Sequence, residues 1–409
     1  MSLKKGGPAF LVIAAGVVLA LAVASGNITL PSSAPVSVAT ASPAASTEPV
    51  PTPTAAPAAT PAPTPTVQTV RFSASGDNLI HEGLYNQAHA RAENGGYDFT
   101  AAYADLKEFY GGFDLNWINQ ETLVNDAYPP SAYPMFSTPA EMAENLYQVG
   151  FRAFSLSNNH SYDKGADGIS SSLACWDALP EDAVATGFYN LSTYDNYAYL
   201  TVNGITFGFL SYTQFTNGIP TPSGSEYGVI YLNQTDVIEK QISDMRPICD
   251  VLVVSCHWGV EDSHDVTEQQ RNTAQWLADL GADLIIGTHP HVTQTAQWLT
   301  AADRTDAFVV YSLGNLISAQ SKPDNMIGLI LDITFQKTTA PDGTTNIQIL
   351  DPSLHPTVTQ YENGYRNIRV MLFQDYTDAL GAAHGVFTLS RSYIQDVLNQ
   401  TVDTSFLTA

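Results

Sequence analysis

Five short polar clusters carry side chains able to hold a cation or move a proton: Asp77; Asn119 with Glu121; Asn158, Asn159 and His160; His257; and His289 with His291. Carboxylate and amide oxygens combined with imidazole nitrogens are the donors that divalent first-row metals accept. A lone histidine after an apolar run is more often a satisfied structural residue than a ligand. An ordered set of carboxylate, carboxylate, Asn-His, His and His-x-His is much harder to explain that way, and it points to a metal site.

The clusters share a position relative to the elements that must carry them. Asp77 follows the strand pattern Val70 to Ala74, with Gly76-Asp77 read as a turn. Asn119 and Glu121 follow the run Leu115 to Ile118, and Asn158 to His160 follow Ala153 to Leu156. His257 ends the continuous Val/Leu run Val251 to Ser255, and His289 follows Leu284 to Ile286. Apolar spacing of helical period marks Pro139 to Val149 and Thr267 to Leu280, and further strands fall at Ile205 to Ser211 and Phe308 to Ser312. Strands alternating with helices predict a layered α/β fold, in which ligands bind beyond the carboxyl ends of the strands. The clusters are therefore expected to converge. Downstream, Ile327 to Phe335 and Ile347 to Leu350 read as strands around the turn Pro341-Asp342-Gly343. With no linker before them, they should pack on the same body. A last strand at Val370 to Phe373 and a final helix carrying Tyr393, Val397 and Leu398 follow.

Composition narrows the partners. The 409 residues include 16 Lys and Arg against 40 Asp and Glu, a net charge of −24, which excludes nucleic acid because phosphate affinity comes mainly from basic side chains. The three cysteines, Cys175, Cys249 and Cys256, show no CxxC spacing, which argues against a thiolate zinc site and a disulfide framework; one bridge stays open beside the reading as small buried hydrophobes. Neither a Gly-x-Ser-x-Gly elbow nor a Walker loop occurs, so serine hydrolases and nucleotide-driven ligases lack support.

The N-terminus reads as an address. Lys4 and Lys5 precede an apolar run from Ala9 to Ala24, so residues 1–30 are either a cleaved signal peptide or a membrane anchor. Residues 31–67 form a Pro/Ala/Thr-rich spacer that holds ten of the 24 prolines and a single charge, Glu48. Residues 68–409 are the globular body. This order predicts a protein on the extracellular side of the cytoplasmic membrane, anchored or secreted.

Ser75-Gly76-Asp77, Asn119-Gln120-Glu121, Asn158-Asn159-His160 with Asp163 and Gly165, His257-Trp258-Gly259 with Glu261, Gly287 to Val292, and Ser312-Leu313-Gly314-Asn315 resemble the CapA-type poly-γ-glutamate capsule biosynthesis proteins of the calcineurin-like metallophosphatase superfamily. The resemblance spans residue 69 to the late 350s and implies a four-layer α/β/β/α sandwich. It implies Asp77, Glu121, Asn159, His257, His289 and His291 as ligands of one or two divalent metals (Mn, Zn or Fe), and His160 as general acid. Asn119, Asn158, Asp163, Glu261 and Asn315 would support the ligands or touch substrate. Two residues depart from the superfamily pattern: Leu79 stands where a ligand histidine is usual, with His81 two residues on as a substitute, and Glu121 replaces an aspartate. One metal and two therefore both stay open. The implied work is capsule-polymer biosynthesis, transport or cleavage by metal-dependent hydrolysis. The alternatives are an accessory subunit that binds polymer or membrane synthase subunits, and a phosphoesterase on a small envelope substrate.

Overall fold

The computed structural model describes residues 64–408, apart from 94, 193, 194, 196 and 303–306. The expected signal or anchor, and the spacer up to residue 63, lie outside the described residues. Residues 62–409 form one compact unit.

In chain order the principal elements are β1 (Thr66–Asn78), α1 (Glu82–Arg91), β2 (Leu115–Gln120), α2 (Glu141–Val149), β3 (Ala153–Ser155), α3 (Gly165–Asp177) and β4 (Val184–Thr186). There follow β5 (Ala198–Val202), β6 (Ile205–Thr213), α4 (Thr235–Met245), β7 (Val251–His257), α5 (Glu268–Leu280), β8 (Leu284–Thr288), β9 (Thr293–Leu299) and β10 (Ala307–Leu313). The chain ends with β11 (Asn315–Ile317), β12 (Ile327–Thr339), β13 (Thr345–Glu362), β14 (Arg366–Leu372) and α6 (Arg391–Thr401).

The first sheet runs β14-β13-β12-β1-β2-β3-β4, with β11 also paired to β1; the second runs β9-β10-β8-β7-β6-β5. Strands β1 to β4 are parallel to one another, as are β6, β7, β8 and β10. The two sheets pack face to face through one core to which Phe72 of β1, Phe207 of β6, Val253 of β7 and Phe335 of β12 all belong. Phe72 stacks on Phe207 at 6.0 Å and meets Phe335 edge-on at 5.9 Å. Truncating Phe72 to Ala would cost about 3–5 kcal/mol, the usual loss for a buried aromatic.

Alternation explains the outer layer. On β7, Val251 and Val253 face the inter-sheet core, while Leu252, Val254 and Cys256 face a second core built with Ile238, Ile242 and Met245 of α4 and Ala274 and Leu277 of α5. A strand buried on both faces reads as an unbroken apolar run, which is the pattern seen in its sequence. Thr267 and Gln270 form a capping box that fixes the start of α5. Leu84 of α1, Met142 and Leu146 of α2 and Ile169 of α3 pack against the first sheet. The result is the four-layer α/β/β/α sandwich.

Several expectations need correction. Gly76-Asp77 is no turn: β1 continues to Asn78 through a bulge whose register shifts between Ser75 and Asp77. Glycine is required there because a Cβ at Gly76 would sit 1.9 Å from the Gly314 carbonyl oxygen. The strand expected at Ile347 to Leu350 extends to Glu362 despite Pro352 and Pro356. Both prolines precede Thr357, where pairing with β14 begins; on that side of the stretch Leu354, between them, bonds to Phe406 and Thr408, and the positions of Pro352 and Pro356 stay unpaired there, as edge prolines do. Edge strands β5 and β9 and helices α1, α3 and α4 were not apparent in the sequence. All three cysteines are free; Cys249 and Cys256 are buried, whereas Cys175 is only half-buried.

Candidate metal centre

The parallel strands of both sheets end on the same side of the molecule, and β1, β2, β3, β7 and β8 each lead into a donor. The bulge at Gly76 turns Asp77 inward, and its backbone N–H donates to the Gly314 carbonyl at 2.9 Å. Its carboxylate accepts from Asn119 Nδ2 at 2.8 Å and from the His289 N–H at 3.2 Å, and it faces His291 Nδ1 at 3.2 Å. Asn119 thus orients Asp77, as a supporting residue should.

Glu121, just past β2, is fully buried, and neither carboxylate oxygen has a hydrogen-bond partner. One oxygen lies 3.6 Å from His291 Nε2 and 3.9 Å from His257 Nε2. A buried carboxylate without donors is expensive, because desolvation is not offset. Burial, with the Asp77 carboxylate nearby, pushes Glu121 well above the usual range although His291 pulls it down. Burial lowers His291, but Glu121 and Asp77 outweigh it and raise the ring to about 10. Both shifts favour a proton held between the two groups. His291 Nδ1 faces the acceptors Asp77 Oδ2 and Asn315 Oδ1 (3.1 Å), which leaves Nε2 toward Glu121.

Across Glu121 lies a second set of donors. His257 Nδ1 meets Thr288 Oγ1 at 3.0 Å, which leaves Nε2 facing Asn159 Oδ1 at 3.0 Å and His289 Nδ1 at 3.2 Å. Two ring nitrogens and an amide oxygen thus meet at one point, with the spacing of the edge of a tetrahedron around an ion with bonds of about 2.0–2.1 Å. Burial and the neighbouring rings hold both imidazoles in the neutral, ligating form: His257 well below its ordinary value and His289 down to about 3. His289 (φ 99°) and His291 (φ 59°) both adopt left-handed backbone, a strain of about 1–3 kcal/mol each that side chains other than glycine rarely accept without function. The residues present fit a divalent cation. Two donor groups, each within 4.8 Å, emerge: Asp77, Glu121 and His257, and Glu261, His289 and His291.

The remaining expected residues fall around these groups. His160 is buried, with Nδ1 held by Asp163 Oδ2 at 2.8 Å and Phe136 edge-on at 4.6 Å. Asp163 also accepts from the Phe136 N–H at 2.7 Å, so it locks the ring against one wall. Asn158 shapes the turn instead of lining the centre: its Nδ2 donates to the Gln120 and Leu156 carbonyls, and its Oδ1 accepts from the His160 N–H. Asn315 fixes His291 and is itself held through Nδ2 by Ser318, Gln320 and the Asn325 carbonyl. Glu261 lies exposed on the rim. Sequence reasoning missed Thr288, which orients His257, and Phe215 and Asn217, which reach His289 and His160 from the loop after β6. Thr288 precedes His289 directly and was legible as a hydroxyl beside a ligand; the loop residues had no motif.

A family model described as bacterial capsule synthesis protein PGA_cap matches residues 71–320, well over half of the chain. The chain belongs to this family. Among curated relatives it is 28% identical over 183 residues to PGA biosynthesis protein CapA of Bacillus subtilis (strain 168), covering 45% of this chain and 47% of that protein. It is 30% identical over 188 residues to capsule biosynthesis protein CapA of Bacillus anthracis, covering 45% and 44%. The match thus spans about half the length of the curated relatives. Among solved structures, NAD nucleotidase (NadN) of Haemophilus influenzae aligns over 84% of this chain and 64% of its own, with a TM-score of 0.42 and 13% identity.

Proposed function

We propose that this family member is a metal-dependent hydrolase of the cell envelope that acts on a capsule polymer of the poly-γ-glutamate kind, on the extracellular side of the cytoplasmic membrane. The observation that carries this reading is the Glu121 carboxylate, buried without a hydrogen bond between His257 and His291. Asp77, Glu121, Asn159, His257, His289 and His291 would hold one or two divalent ions, with manganese, zinc and iron suited to the donor set. A bound ion supplies Lewis acidity and lowers the pKa of water.

The chain's own residues supply the rest. Hydrolysis adds water across an amide or phosphoester bond, and the leaving nitrogen or oxygen takes up a proton. Asp163 fixes His160 through Nδ1, so Nε2 is the ring atom free to deliver that proton. Asn217 Nδ2 lies beside the ring, 3.4 Å from Nδ1 and 3.5 Å from Nε2. Asn119 and Asn315 keep Asp77 and His291 in fixed orientations.

Replacing His160 with Gln should leave metal content at the wild-type level and cut turnover about 10²–10⁴-fold. The readout is cleavage of γ-glutamyl polymer and of a generic phosphodiester, beside elemental analysis. If the metal-loaded wild type cleaves neither while cells still need the protein for polymer, the accessory role replaces the catalytic one, with synthase subunits as its partners.

A further inference from the structure

We infer that Glu261 is a direct ligand of the metal centre and supplies the donor that Leu79 withholds from the first motif. This deepens the proposed function and rests on its metal-binding reading. Leu79 is buried and apolar. The nearby alternative, His81, is committed elsewhere: its Nδ1 accepts from the Ala319 N–H at 3.2 Å, its ring meets Phe136 edge-on at 5.4 Å, and it belongs to neither donor group. Around His291 the first sheet therefore offers two carboxylates, Asp77 and Glu121, beside the Asn315 amide oxygen.

The loop after β7 brings a further carboxylate to that place. The Trp258 N–H donates to the Thr288 carbonyl at 3.1 Å, and the Asp262 N–H donates to the Pro290 carbonyl at 2.8 Å, so residues 258–262 are stitched along the His289-Pro290-His291 segment. Left-handed backbone at Gly259 (φ 91°) and Asp262 (φ 62°) folds the loop back onto it. The Asp262 carboxylate is taken by Lys322 and, at 3.0 Å, by Asn325 Nδ2, which also reaches the His291 carbonyl at 3.3 Å. Glu261 lies between these fixed points. Its carboxylate makes no hydrogen bond or ion pair with any described residue, yet one oxygen is within 4.8 Å of ring nitrogens of both His289 and His291.

Charge supports the assignment. Asp77 and Glu121 bring two negative charges, which balance one divalent ion and leave two positive charges uncompensated if a second ion binds, and bound ions are the largest local charges in such a site. Glu261 adds the third negative charge from the solvent side, opposite the buried Glu121. Its exposure allows the short rotation that closes the remaining distance.

The test uses the full chain, stripped with chelator and titrated with manganese and with cobalt(II), comparing wild type, Glu261→Gln, Glu261→Asp and the distant surface control Glu268→Gln. We expect Glu261→Gln to weaken at least one ion by about 100-fold and to change the cobalt absorption spectrum, Glu261→Asp to fall between, and Glu268→Gln to match wild type. Unchanged affinity in Glu261→Gln overturns the assignment while leaving the metal centre standing. Weaker binding with an unchanged cobalt spectrum also overturns it, because the carboxylate then acts through another residue. A wild type that binds no ion overturns both this assignment and the metal-dependent reading.

Discussion

Strand β1 carries two charged clusters, and they are built to opposite plans. Near its middle, Arg71 forms a two-pronged pair with Asp332, Nη2 to Oδ2 at 2.7 Å and Nε to Oδ1 at 3.1 Å. His355 closes the same carboxylate at 3.1 Å, and the Arg71 guanidinium lies over Phe113 at 4.3 Å. Six residues on, about 20 Å along the strand, Asp77 and Glu121 meet three histidines, and Glu121 accepts no hydrogen bond. The first cluster satisfies its charges with protein; the second leaves donors aimed at a common space. A fold that can complete one network this close to another has no structural reason to leave the second open. Openness at the β1 terminus marks it as the candidate binding site.

Predictions that would break this contrast can be ranked by size. The largest effect belongs to the open cluster: His289→Ala with His291→Ala should remove metal altogether, as read by elemental analysis after loading. A chain that keeps its full metal content would mean the cation sits elsewhere. Next, Glu121→Met should raise the stability of the chelated protein by about 1–3 kcal/mol, because a buried carboxylate that accepts no hydrogen bond is exchanged for an apolar side chain of similar length, and His291 sheds its proton once that charge is gone. The same variant should lose the stabilisation that metal gives wild type. Thermal unfolding with and without chelator reads both, and destabilisation under chelator would show that the ion pair with His291 outweighs the cost of burying the carboxylate.

A third effect is protonic. Glu121 and His291 are both raised in the metal-free centre, His291 to about 10, so the pair binds a proton at neutral pH. Ligands must give up such protons, and metal uptake should release about one per chain near pH 7. Affinity should therefore weaken as pH falls. Calorimetric titration in buffers of different ionisation enthalpy measures the release, and a value of zero would contradict the shared proton.

The contrast also shows what a sequence can disclose. The open cluster was legible because every ligand type ends an apolar run, as with His257 after Val251 to Ser255, and strand ends of a parallel sheet converge by topology. The bulge was misread because Gly76-Asp77 has turn chemistry, and only the approach of Gly314 distinguishes a bulge from a turn. The closed cluster left no trace: Arg71 and Asp332 are 261 residues apart and meet only because β12 pairs antiparallel with β1, setting Ser73 against Asp332. Phe215 and Asn217 were equally hidden, since a loop's contacts follow from where its flanking strand ends.

The smallest effect tests the closed cluster. Burial raises Asp332, but hydrogen bonds from His355 and Arg71 and the charge of Arg71 outweigh it, so its carboxyl lies below the ordinary value of 3.8. A carboxyl lowered by folding stabilises the native state above its unfolded pKa, and that contribution fades as pH falls through the native one. Asp332→Asn should therefore lower stability at pH 7, and the difference from wild type should shrink as pH drops below about 3.8. Arg71 is 44% exposed, so solvent screens the pair and the loss at pH 7 should be about 1–2 kcal/mol. Metal binding should not change, since none of the three side chains contacts the centre. Urea unfolding of both proteins between pH 3 and pH 7 decides the matter: a gap that stays constant would assign the loss to packing, and a drop in metal affinity would show that the two clusters on β1 are coupled.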